Sequence, residues 1–97
     1  MKKQNSSCAQ MRIGFYEASL QRKNILQLID EFNWLAHSRG WTAERSYFTT
    51  ALINEMLQRG IDISAIAGWD KNSGRIRSVR YGVVEFDEVS NALVSLR

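Results

Sequence analysis

Lys71, Arg75, Arg77 and Arg80 fall within residues 71 to 80, a stretch that holds no acid. Cations at this density neutralise phosphates and release their counterions, so the expected partner is DNA and the expected contacts are to its backbone. The plain alternative is a solvated basic loop. Base reading is not expected. Read as a helix-turn-helix over residues 54 to 70, the chain turns Asp62, Ser64, Ala65, Gly68 and Lys71 outward. That set lacks the Arg, Asn and Gln side chains that pair with base edges in the major groove.

Other reactive residue types are present without the company that chemistry needs. Cys8 and His37 are the only soft metal ligands, too few for a four-ligand structural zinc site. A single cysteine also excludes an internal disulfide. No metal or cofactor is expected. Asp30 and Glu31, and then Glu85, Asp87 and Glu88, fall on different helix surfaces and ends, where solvated or capping roles suit them better than paired acid-base work. Tyr81, between Arg80 and Gly82, is a phenol that must lose its proton before it can attack phosphorus. No adjacent base is evident.

The elements that would position these residues are read from apolar spacing. Ile25, Leu28, Ile29, Phe32, Leu35 and Ala36 recur at helical intervals, which predicts a helix near 21–39 that stops at Gly40. Thr42 is an N-cap for a second helix near 43–59, with Tyr47, Phe48, Ala51, Leu52, Met56 and Leu57 on one face and Gly60 at its end. The two are expected to pair as a hairpin and form the core. Residues 61–69 satisfy both periods: Ile61, Ile63, Ala65, Ala67 and Trp69 alternate like a strand, while Ile63, Ile66, Ala67 and Trp69 fit a short helix. The helix is the preferred reading. Asp87 and Glu88 then open a last helix with Val89, Ala92, Leu93 and Leu96 as its stripe. Residues 1–10 are polar and expected to be a disordered arm, leaving 11–97 as one small domain. The fold expectation is mainly α: about four helices with a helix-turn-helix-like centre and a short β element at 75–86. An α+β fold with a hairpin at 61–86 is the alternative.

The order of these pieces resembles the C-terminal end of the tyrosine recombinase and phage integrase family. Gly60-Ile61-Asp62-Ile63, a short helix, Gly68-Trp69, a polar link, Arg80-Tyr81 and a tail helix follow that family's plan. Residues 32 to 42, ending Ser38-Arg39-Gly40-Trp41-Thr42, resemble the helix and turn before its His-x-x-Arg box. The resemblance implies that Tyr81 stands at the position of the DNA-attacking tyrosine and Trp69 at that of its His or Trp partner. Thr42-Ala43-Glu44-Arg45 stands where the His-x-x-Arg box is expected, and the link from Trp69 to Tyr81 is longer than the family's. Binding without catalysis is therefore expected.

Ninety-seven residues, 44% hydrophobic and 24% charged, describe one small core, and the net charge of +3 is local rather than general. No apolar run approaches the roughly 20 residues that span a bilayer, so a cytoplasmic protein without a membrane partner is expected. The alternative function is a protein-interaction module, whether adaptor, inhibitor or homodimer. Trp34 lies off the main stripe of the first predicted helix and Trp41 follows its end, and tryptophan is enriched at binding hot spots.

Overall fold

Polar side chains meet free backbone groups where the helices begin. Asn24 accepts from the Gln27 amide (2.9 Å) while the Gln27 side chain accepts from the Asn24 amide (2.9 Å), a reciprocal capping box. Thr42 accepts from the Arg45 amide (3.1 Å), as its type and position predict. The computed structural model describes residues 3–38, 40, 42–70, 72–73 and 75–96, with side chains from residue 8 onward except those of 69, 70, 75 and 77. Among the described residues the chain forms α1 (Lys3–Leu20), α2 (Ile25–His37), α3 (Ala43–Gln58), β1 (Ala67–Asp70), β2 (Arg75–Val79), β3 (Val84–Asp87) and β4 (Ala92–Ser95). Helix α1 thus starts inside the stretch read as an arm. The strands pair as two antiparallel ribbons, β1 with β2 and β3 with β4.

Helix α3 is the spine. It is packed chiefly by α1, and α2 meets both α3 and β3. Leu20 of α1, Leu28, Phe32 and Leu35 of α2, and Ala51, Leu52, Ile53 and Met56 of α3 are buried together with Ile61, Ile63, Ile66, Val84 and Leu93. An arginine at each end of α3 closes a neighbouring helix. Arg45 donates to the carbonyls of Leu35 (2.9 Å) and Ser38 (3.4 Å) at the end of α2. Arg59 donates to Lys23 (2.6 Å) and Leu20 (3.3 Å) just past α1 and is held by buried Glu55 at 2.7 Å. Both place a cation on carbonyls at the negative end of a helix.

Two predicted helices are replaced by other structure, so the α+β alternative fits and the four-helix, helix-turn-helix-like centre does not. After Gly60, whose positive φ of 76° suits a residue without a side chain, the chain makes a single turn at 64–66 and enters β1. The helix is prevented because Asp62 is used elsewhere. Its amide donates to Asn91 O (2.9 Å), its carbonyl accepts from Leu93 N (3.0 Å), and its carboxylate accepts from the Ser64 amide (2.9 Å). The hairpin at 67–79 is shorter than the 61–86 of the alternative. The predicted last helix is the β3–β4 hairpin. Asp87 accepts from Val89 N and Ser90 Oγ, Asn91 takes a φ of 55°, and its side chain donates to Gly60 O at 2.7 Å. Of the expected stripe, Leu93 is buried, whereas Val89 is 97% exposed.

Candidate nucleic-acid interface

Residues 75–79 of the basic run form β2 of the β1–β2 ribbon. Register pairs Ala67 with Val79, Gly68 with Ser78, Trp69 with Ile76 and Asp70 with Arg75, so Arg77 is the extra residue of a bulge between Gly68 and Trp69. A bulge increases the local twist of a ribbon and re-aims its side chains. At its root the ribbon is fastened to the core: Ile66 and Ala67 are buried, and Ile76 and Val79 pack against the same cluster. The Arg80 amide donates to Ile66 O at 2.6 Å and its guanidinium to Ser64 O at 2.8 Å, with the residue itself exposed.

The four expected contacts are therefore placed unequally. Arg75 and Arg77 lie in β2 with side chains outside those described, Lys71 lies outside the described residues, and Arg80 follows the strand. Trp69 lies in β1, its side chain likewise outside, and Trp41 lies outside the described residues. Several other described cations are, like Arg80, engaged within the chain. Arg45 and Arg59 close helices, Arg12 pairs with Glu44 at 2.9 Å, and Lys23 lies 3.5 Å from Glu31.

Tyr81 is held as an anchor. Its ring stacks on Phe32 at 5.9 Å with 8° between planes, the Arg45 guanidinium lies 4.7 Å from its centroid, and its hydroxyl donates to Thr49 Oγ1 at 3.1 Å. Thr49 in turn donates to Arg45 O at 2.8 Å. The fold thus brings Arg45, from the Thr42–Arg45 stretch, against Tyr81.

Between α3 and the ribbon lies a groove of about 290 Å³ lined by Ser46, Thr49, Thr50, Ile53, Ile76, Ser78, Val79 and Tyr81. The sequence reading missed its hydroxyl residues. The signal was available in α3, where Ser46, Thr49 and Thr50 have the i, i+3, i+4 spacing of one helix face. A second groove of about 450 Å³ is bordered by Tyr16, Trp34, Gly40, Glu44 and Phe48. Trp34 is 66% exposed there. The Glu44 carboxylate accepts from Arg12 and, at 2.6 Å, from the Tyr16 hydroxyl. These bonds, that of Arg12 foremost, hold the carboxyl below the usual range and raise Arg12 above its own.

Among the described residues no group of three or more His, Cys, Asp or Glu is placed to hold a metal, and no helix is long and apolar enough to cross a membrane. No family model, curated protein or solved structure matches this chain.

Proposed function

We propose that this chain is a non-catalytic DNA-binding protein of mobile-element type that meets the phosphate backbone with its β1–β2 ribbon. The observation that supports the reading is that residues 75–79 of the acid-free run 71–80 form one strand of a two-stranded antiparallel ribbon docked on the core. A two-stranded ribbon fits the major groove, and cations along it engage the flanking phosphates. Asp70, paired in register with Arg75, is the one acid of the two strands. Tyr81 serves as an anchor in this reading and no strand cleavage accompanies binding. Among the described residues the phenol is bonded to Thr49 with the Arg45 guanidinium against its ring, an arrangement that suits an anchor better than the array of donors a pentacoordinate phosphate needs.

Fluorescence anisotropy with a labelled random duplex at several salt concentrations tests the reading. Wild-type protein binds weakly at low salt, and Arg75→Glu with Arg77→Glu abolishes binding. Absence of wild-type binding at low ionic strength sinks it.

A second reading, a protein-interaction module, is favoured by the exposure of Trp34 beside an aromatic groove and by Met11 and Phe15, 73% and 63% exposed one turn apart on α1. Light scattering of the purified protein, with and without Trp34→Ser or Phe15→Ser, separates the two. Self-association lost in these variants, with no DNA binding by the wild type, supports the module.

A further inference from the structure

The groove between α3 and the ribbon root holds more donors than the fold uses. Thr49 is buried and engaged with Tyr81 and Arg45. Ser46 and Thr50 are half-buried, and neither they nor Ser78 make a side-chain hydrogen bond to any described residue. All three line the same cavity, whose walls are otherwise Thr49, Ile53, Ile76, Val79 and Tyr81. Gly68, opposite Ser78 in register, leaves that hydroxyl bare, since a Cβ at position 68 would lie 3.6 Å from Ser78 Oγ. No described lining residue is acidic. The Arg45 guanidinium lies against the Tyr81 ring that forms part of the wall, and Arg75 and Arg77 flank Ile76 along β2.

Hydroxyl donors unused by the described fold, no acid among the described lining residues and the Arg45 guanidinium against the Tyr81 ring suit an anion that accepts several hydrogen bonds. Ser and Thr hydroxyls are common partners of phosphate oxygens in DNA complexes and set the register of a protein on the duplex. From this arrangement we infer that the groove seats one phosphodiester of the bound DNA, held by Ser46, Thr50 and Ser78, while the ribbon beyond it follows the groove. The inference rests on the DNA-binding reading and adds to it a specific, uncharged clamp.

Uncharged contacts differ from ionic ones in a measurable way, because they change affinity without releasing counterions. The experiment compares wild type, the triple variant Ser46→Ala, Thr50→Val, Ser78→Ala, and the double variant Arg75→Gln, Arg77→Gln on a labelled duplex between 50 and 200 mM salt. The hydroxyl variant is expected to bind about tenfold or more weakly at every salt concentration, with the slope of log affinity against log salt unchanged. The arginine variant loses about two units of that slope. Thermal melts confirm that Thr50→Val, which is nearly isosteric, and the two Ser→Ala changes leave the fold intact. A hydroxyl variant that binds like wild type overturns the clamp and leaves the DNA-binding reading standing. A slope that falls along with the affinity also overturns it, since the loss then lies in the charged ribbon. Failure of wild type to bind at 50 mM salt overturns both.

Discussion

Three side chains do structural work that their types alone do not announce. Asn33 donates to Val84 O (3.0 Å) and accepts from Val84 N (2.9 Å), so its amide acts as a strand neighbour for β3. Asn33→Ala strands both backbone groups and should cost about 1 to 3 kcal/mol, read from urea midpoints. Arg59 matters through Glu55, which is 7% exposed. Arg59→Met leaves that carboxylate without its cation and releases the end of α1, at a cost of about 3 kcal/mol in the same assay. Glu44 is exposed, and its effect is one of pH. Its folded-state pKa is lowered, by Arg12 first and Tyr16 second. The stability it contributes is therefore present above the ordinary carboxylate value of about 4.3 and is lost as pH falls through the lower folded value. Wild type and Glu44→Gln should differ in melting temperature at pH 7 and converge as the solution is acidified. A constant difference down to pH 2 would contradict that assignment.

At the level of elements, α3 joins the parts because it offers a buried face to both other helices and an arginine at each end. Leu52 on that face is fully buried, as is Leu28 on α2. Either Leu→Ala change should cost about 2 to 5 kcal/mol from lost transfer energy and a residual cavity. The C-terminal hairpin permits a sharper contrast. In a helix, Val89 and Leu93 lie one turn apart on one stripe and should behave alike. In the hairpin only Leu93 is buried, so Leu93→Ala should fall in the same range while Val89→Thr stays within about 0.5 kcal/mol. Equal effects at both positions would favour the helix. The helical spacing of residues 89–96 is real, but a short amphipathic stretch takes its form from what it packs against. Here the bridge from Asp62 to Ala92 and the left-handed Asn91 lead the chain into a strand.

For the whole molecule the proposed DNA contact has a consequence for salt dependence. The net charge of +3 is small, yet if the four cations of the ribbon segment all meet phosphates, log affinity should fall with log salt at a slope of about −3.6. Between 50 and 200 mM salt that is a loss of roughly a hundredfold. Tyr81→Phe should leave this salt dependence and most of the affinity in place, because it removes a hydroxyl bonded to Thr49 rather than a charge. A denaturing gel with nicked duplex should show no covalent adduct. A shifted band dependent on Tyr81 would make the chain an enzyme.

The sequence by itself determined the helices whose apolar spacing is long and whose caps are local. Those are α2, with its Leu28, Ile29, Phe32, Leu35 face, and α3, started by Thr42 and stopped before Gly60. It also delimited the basic run, since charge does not depend on fold. Only the tertiary structure decided residues 61–70 and 87–96, where six and five apolar positions are too few to fix the element and backbone partners distant in sequence settle the outcome. The groove of Ser46, Thr50 and Ser78 belongs to the same class. Its residues come from a helix and a strand that meet only because Ile66, Ala67, Ile76 and Val79 dock the ribbon on the core. The α3 hydroxyls share a helix spacing, but nothing in the sequence joins them to Ser78.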